Sequence, residues 1–247
     1  MFSWSVAFMD ANSRIALSLS VVVPVWREAA GIEESLQRLQ PIRQAGHEVI
    51  VVDGGSPDNT ADLSRPLCDR LLVSEPGRAV QMNAGAAAAR GDLILFLHAD
   101  TRLPPDALEQ LSESQRLGRP WGRFDVRLSG RHVMFSVIAW FMNWRSRLTG
   151  VCTGDQGIFV RRDVFEALGG YRAMPLMEDV ELSKRLKLVA RPYCISSPVI
   201  TDSRRWEQGG VWPTIVLMWR LRWRYWRGDS PETLAALWRR NVRHAKH

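Results

Sequence analysis

Apolar residues along this chain fall into short unbroken runs, separated by stretches in which they recur at helical intervals. Leu17 to Val25 (LSLSVVVPV) is a β-branched run stopped by Pro24, after which Ile32, Leu36 and Leu39 take helical spacing. His47 to Val52 (HEVIVV) is a second buried run; it ends at Asp53-Gly54-Gly55-Ser56, and Ser56-Pro57 suits the cap and first turn of a helix. Arg70 to Val73 is a short third strand, Arg78 to Arg90 an Ala-rich helix ended by Gly91, and Leu93 to Leu97 a fourth strand. Strands buried on both faces need not alternate, so β-α alternation of this kind predicts a doubly wound, mainly parallel α/β sheet over roughly the first 105 residues.

The later half is mixed. Gly122 to Ser129 alternates as a half-exposed strand does, Arg131 to Leu148 has an amphipathic helical pattern, and Gly157 to Val160 is another strand. Asp163 to Leu168 and Val180 to Leu188 are helical, separated by Gly169-Gly170 and the Pro175 loop. These boundaries divide the chain into a leader over 1–16, one domain over 17–206 with halves at 17–105 and 106–206, and a helical extension over 207–247. In the extension Trp212, Ile215, Val216, Trp219, Trp223 and Trp226 fall within a stripe of about 100°, with Arg220, Arg224 and Arg227 beside it. Such an amphipathic helix either packs on the domain, lies on an anionic membrane, or meets a phosphorylated acceptor.

Charge sharpens that last point. The net charge of +7 is concentrated at one end: Thr201 to His247 holds ten Lys/Arg against four Asp/Glu, and six of the eleven tryptophans. No nucleic-acid recognition motif accompanies the charge, so nucleic acid is not expected as a partner. Three scattered cysteines, Cys68, Cys152 and Cys194, lack CxxC or Cys/His spacing and indicate neither a disulfide framework nor zinc, which fits reduced thiols in a cytoplasm. The best apolar stretch, Val133 to Met142, is too short to span a bilayer, and the first sixteen residues lack a basic start for a signal peptide. The expected location is cytoplasmic, with peripheral contact on the inner membrane face through 208–247.

Four loops, each following a predicted strand, should converge over the sheet: Pro24 to Glu28, Asp53 to Asp58, Glu75 to Asn83 and His98 to Thr101. No GxGxxG follows the first strand and no GxxxxGK[ST] occurs, which disfavours a dinucleotide site or a P-loop. Phosphates would instead be held by a hard cation on Asp100, Mg²⁺ or Mn²⁺, together with Arg78.

These residues resemble the inverting glycosyltransferases of family 2, whose fold is the nucleotide-diphospho-sugar transferase, or GT-A, fold. SVVVPVWRE is similar to the family's first strand and loop, VVDGGSPDNT to its V-D-D-G-S-x-D-x-T, and GRAVQMNAG followed by ARGDLILFLHAD to its R-x-x-x-x-N-x-G and G-D-x-I-x-F-x-D-x-D. GDQGIFVRRDVFEALGGY and PLMEDVELSKRL resemble its acceptor segment and Glu-Asp motif. The likeness covers about Ser18 to Trp206. LHADT with PLMEDVELS also resembles a subgroup of small members linked by gene neighbourhood to radical-SAM proteins and sometimes named for arsenosugar biosynthesis.

The resemblance implies a nucleotide-sugar donor, most simply UDP-linked, and a small-molecule or lipid acceptor. It implies that Asp53 accepts a hydrogen bond from the base, that Glu28 assists at base or ribose, that Arg78 meets the diphosphate, and that Pro24, Val25, Asn83 and Ala99 complete the donor site. Asp100 matches the last acid of the metal motif and His98 stands where its first acid usually is; an imidazole there suits Mn²⁺ better than Mg²⁺. Asp179 matches the catalytic base, beside Glu178, with Asp155 in TGDQG as a second acid that orients the acceptor or takes the base role. Arg205 and Trp206 match the end of a Q-x-x-R-W element, in which Arg would meet the departing diphosphate and Trp would stack on a sugar; its Gln is absent and no membrane spans follow, which argues against polymer export. Two other readings share the architecture: a nucleotidyltransferase, and a non-catalytic basic module for membrane or nucleic acid.

Overall fold

A computed structural model of the chain describes residues 17–244; the expected leader over 1–16 lies outside the described residues. One eight-stranded sheet runs through the molecule: β1 Leu19–Val25, β2 Glu48–Asp53, β3 Arg70–Val73, β4 Leu93–Phe96, β5 Thr101–Arg102, β6 Trp121–Leu128, β7 Ile158–Arg161 and β8 Tyr193–Thr201, in the order β3-β2-β1-β4-β7-β6-β8-β5. β1 to β4 pair in parallel, as the alternating β and α segments predict. β7 then joins β4 and β6 in antiparallel fashion, β6 and β8 are parallel, and β5 closes the edge antiparallel to β8.

The core follows from that order. β1, β2 and β4 are buried along nearly their whole length, between helices on one face, including Ile32–Gln37, and the helix Arg78–Ala88 on the other. Pro24 does not stop β1, which continues to Val25. β4 has ended at Phe96 opposite Val22, so the missing Pro24 N–H forfeits no ladder bond with that neighbour.

Elements outside the pattern read from sequence include β5, the helix Gln40–Gln44 and β8. β8 bulges at Ser196 and Ser197, which the ladder skips in passing from Phe124 opposite Ile195 to Asp125 opposite Pro198. That bulge breaks the period of two on which recognition of a strand depends.

The C-terminal helices pack on the domain. Leu221 of Val211–Trp226 and Leu234 of Pro231–His244 bury against Met177 and Val180, while Val211 and Ile215 lie on Phe135 and Ile138 of the helix Val133–Thr149. The tryptophan stripe is not the packing face: Trp212, Trp219, Trp223 and Trp226 are all exposed, and leucines on another side of the helix make the contact. No described helix is long and apolar enough to cross a membrane.

Gly85 lets the Arg78–Ala88 helix sit close on the sheet, since a Cβ there would lie 2.3 Å from Val22 Cγ1 and 3.1 Å from Val52 Cγ2. Gly85→Ala gains about 1 kcal/mol of helix propensity but loses about 1–3 kcal/mol to overpacking against stiff β-branched neighbours. Thermal unfolding is expected to show a lower Tm for Gly85→Ala and partial recovery when Val22→Ala is added; a Tm at or above wild type for the single variant would refute the close packing.

Candidate active site

The carboxyl ends of β1, β2 and β4 carry the site, as open α/β sheets generally arrange it. Val25 ends β1 and Val52 is the last but one residue of β2, and the Val25 carbonyl accepts from the Gly54 amide at 3.0 Å. The Gln81 side-chain amide, buried on the Arg78–Ala88 helix, donates to the Val25 and Val52 carbonyls, at 2.8 Å each. It also lies against Gly54, where a Cβ would be 3.2 Å from the amide, which explains glycine at the position that resembles an acid in the family motif. Sequence reading passed over Gln81 because a glutamine in an Ala-rich helix carries no chemical signature.

Asp53, 2% exposed at the end of β2, accepts from the Ser56 amide at 2.9 Å and from the Ser56 hydroxyl, so it shapes the Gly54-Gly55-Ser56 turn as well as ending the strand. The loops after β1 and β2 are laced together: the Arg27 amide donates to Ser56 Oγ and the Glu28 amide to Thr60 Oγ1, both at 2.9 Å. Pro24 and Val25 form the floor leading to that loop. Glu28 has a raised pKa because burial, and then the Asp100 charge, disfavour its ionised form.

After β4 the chain turns through His98-Ala99-Asp100, closed by the Thr101 amide donating to the His98 carbonyl at 3.0 Å. Asp100 is open to the cleft, yet enough protein surrounds it to raise its pKa; Arg78 and Arg205 oppose that rise and Asp202 adds to it. His98 turns Nε2 onto Gly154, where a Cβ would lie 2.7 Å away. Burial, aided by the charges of Arg78 and Arg205, holds its imidazole neutral, well below the usual pKa. No three His, Cys, Asp or Glu side chains among the described residues close on one point. Asp100 is the exposed carboxylate of this loop.

Asp179 occupies the opposite wall. Met177 adopts φ 69°, uncommon for a residue with a side chain, and this left-handed step starts the helix Glu178–Val189. Asp179 Oδ2 accepts from the Gly154 amide at 2.8 Å and Oδ1 from the Val180 amide at 2.7 Å. Burial raises its pKa, Asp155 reinforces the rise, and these two amides with Arg222 oppose it. Glu178, 7% exposed, is pushed up to about 7 by burial and then by the Asp179 charge.

Asp155 sits in the short turn Gly154–Gln156, and its Oδ1 is buried without a hydrogen-bond partner. Around it stand Arg205, which the sequence resemblance puts at the diphosphate, and two guanidiniums that sequence reading did not assign, Arg145 and Arg222. Arg145 has Nε and Nη2 buried and unpartnered, and burial followed by repulsion from Arg222 lowers its pKa to about 10. Arg222 escaped notice because it falls outside the row Arg220, Arg224 and Arg227, next to the buried Leu221. Arg205 lies 4.6 Å over the Trp238 ring and is within the influence of Asp100 and Asp155.

The charges of Glu28, Arg78, Asp100, Asp155, Glu178, Asp179 and Arg205 reach one another around one cleft, with His98 and Ala99 in the same loop as Asp100 and Asp53 at the end of β2. Two expected residues turn elsewhere. Asn83 uses both ends of its amide on the Tyr171 backbone, at 2.8 and 2.9 Å, tying its helix to the Gly169-Gly170 loop. Trp206 packs with Leu128, Phe135 and Ile138.

Comparison with known proteins agrees with this geometry. The undecaprenyl-phosphate 4-deoxy-4-formamido-L-arabinose transferase of Pseudomonas paraeruginosa is 33% identical over 172 residues, 61% of this chain and 49% of that protein. The dolichol-phosphate mannosyltransferase of Pyrococcus furiosus is 25% identical over 178 residues, 68% of this chain and 49% of that one. The chain spans about half the length of these relatives. Among solved structures, residues 1–349 of TarS from S. aureus in complex with UDP-GlcNAc align with a TM-score of 0.59 at 19% identity, covering 75% of this chain and 58% of that one. The mannosyltransferase PcManGT from Pyrobaculum calidifontis, in complex with GDP-Man and Mn²⁺, aligns at 0.60 and 20%, covering 93% and 69%. At such identities the likeness establishes the fold, which is GT-A. Residues 20–169, more than half of the chain, match the sequence profile of Glycosyl transferase family 2, and the chain belongs to that family.

Proposed function

We propose that the cleft transfers a sugar from a nucleoside diphosphate donor to an anionic acceptor with inversion at the anomeric carbon, Asp179 acting as general base. The observation that carries this reading is the Asp179 carboxylate, pinned by the Gly154 and Val180 amides on the wall opposite Asp100 and Arg78. Asp53 and the loop after β1 would receive the base of the donor, with uridine the first to test. Arg78 and Arg205 would meet the diphosphate. A divalent cation, Mg²⁺ or Mn²⁺, would be held by Asp100 and would offset charge on the departing diphosphate.

Two neighbouring carboxyls with different surroundings divide the acid-base roles. Two amides and Arg222 favour the Asp179 charge, whereas only Arg78 and its own backbone favour that of Glu178, so a proton shared by the pair falls preferentially on Glu178. Asp179 then takes the acceptor's proton as its oxygen attacks from the face opposite the diphosphate. If the attacking oxygen belongs to a phosphate already ionised, the same carboxylate orients it instead.

Arg145 and Arg222 define the acceptor class. Guanidiniums held close in a partly dry pocket, one of them with unpartnered nitrogens, favour a phosphate or carboxylate between them. The two curated relatives above are named for lipid-phosphate acceptors, which supports this assignment.

Asp179→Asn is expected to lower kcat by about 100- to 10,000-fold with little change in donor binding. The acid limb of the wild-type kcat/KM profile should lie above the ordinary carboxylate range, since Asp179 is raised; an unchanged rate in the variant would remove the base assignment. Arg222→Gln should raise the acceptor KM at least tenfold while donor affinity, measured by calorimetry, holds; an equal loss of both would contradict the acceptor role. For Glu178 the sign of the stability effect is fixed: a carboxyl with a folded pKa near 7 contributes stability below its unfolded value that is lost as pH rises through about 7. Glu178→Gln should therefore gain Tm over wild type progressively from pH 5 to pH 8, and a gap that narrows over that range would show Glu178 to be held as an anion.

A further inference from the structure

Two helices turn apolar stripes to solvent. On Val133–Thr149 the exposed large side chains are Val133, Val137, Trp140, Phe141, Trp144 and Leu148, a recurrence of three and four that follows one side of the helix. On Val211–Trp226 they are Trp212, Val216, Trp219, Trp223 and Trp226, with the same recurrence. Together these make eleven of the seventeen large hydrophobic side chains exposed among the described residues, a concentration that scattered surface hydrophobics do not produce. The helices are neighbours: Phe135, Ile138 and Met142 meet Val211 and Ile215, and farther along Arg145 feels the charge of Arg222. Ile215, Val216, Trp219 and Trp223 line a shallow apolar groove with Arg220.

The charge pattern says what covers this face. Neither helix contains an Asp or Glu, while between them they carry Arg145, Arg147, Arg220, Arg222 and Arg224. Arg147 pairs with Asp125 and Arg224 with Asp229, and Arg145 and Arg222 are turned to the cleft. Arg220, and Arg227 just past the helix end, have no acidic partner among the described residues; the Arg227 guanidinium lies 4.9 Å over the exposed Trp223 ring. Indole rings with arginines among them suit the boundary between headgroups and acyl chains, where an apolar body and a polar edge are satisfied together. A second copy of the chain would set arginines against arginines with no acid on either helix to offset them. An anionic bilayer supplies the missing charge.

We propose that the face formed by helices Val133–Thr149 and Val211–Trp226 docks on the surface of an anionic lipid bilayer, its tryptophans at headgroup level and Arg220 and Arg227 on lipid phosphates. This face includes a helix well before the basic extension, and the docking does not depend on what the cleft transfers.

Sedimentation of the full chain with phosphatidylcholine vesicles, and with vesicles enriched in phosphatidylglycerol, tests it. The protein should pellet with the anionic vesicles, less with the neutral ones, and less again as salt rises. Trp140→Ala with Trp144→Ala, and separately Trp219→Ala with Trp223→Ala, should each weaken partitioning roughly tenfold, since each pair removes interfacial apolar area. Arg220→Glu with Arg227→Glu should abolish the preference for anionic lipid. Unchanged Tm values confirm that these exposed substitutions leave the fold intact. Failure to pellet with either vesicle would overturn the proposal. So would a dimer in sedimentation velocity that the tryptophan pairs dissociate, which would assign the face to a second copy, or tryptophan pairs on Val133–Thr149 that bind as wild type.

Discussion

The cleft depends on the constraint that β1 and β2 be held side by side at their carboxyl ends, from which its loops depart. The Gly54 amide already meets the Val25 carbonyl at 3.0 Å, and a side-chain donor shared by the Val25 and Val52 carbonyls ties the two strands together from above. The Gln81 amide is that donor, at 2.8 Å from both Val25 and Val52. Because it rides on the helix that begins at Arg78, the bond that ties the strands together also fixes where the Arg78 side chain emerges. Gly85 brings the helix close enough for the reach, Gly54 leaves room for the amide, and Asp53 folds the next turn over it.

Against that fixed half the second wall is assembled from segments distant in sequence. The Gly154 turn and the start of the Glu178 helix meet through one backbone hydrogen bond to Asp179, and His98 packs into the notch that Gly154 leaves open. Thus the β4 loop touches the wall that carries Asp179, and the two halves of the cleft are in register. The C-terminal helices cover this wall, bringing Arg222 to Asp155 and Asp179, and Trp238 under Arg205. The tryptophan stripe and the arginine pocket lie on different sides of the same helix, so a bilayer on one would stand beside the acceptor entrance on the other.

Much of this was legible in the sequence. Fully buried parallel strands announce themselves as unbroken runs, and the acids at their ends, Asp53 and Asp100, are conspicuous because they interrupt such runs. β8 was hidden by Pro198 and a bulge, and the sequence left open which way the tryptophan stripe faces, because apolar periodicity alone does not distinguish a packing face from an exposed one. Asn83 and Trp206 belong to motifs whose residue types suggest ligand contact, whereas here one holds a loop and the other fills a core. Gln81, Arg145 and Arg222 could not be found from residue type at all, since their meaning lies in which carbonyls, acids or charges tertiary packing brings to them.

The central claim, single displacement with Asp179 opposite the leaving diphosphate, has a stereochemical signature. Proton NMR during donor turnover, with water or a phosphorylated alcohol as acceptor and a panel of α-linked nucleotide sugars, reads the anomer first formed. The account predicts a β-configured product before mutarotation; a first-formed α product would mean retention and would contradict it.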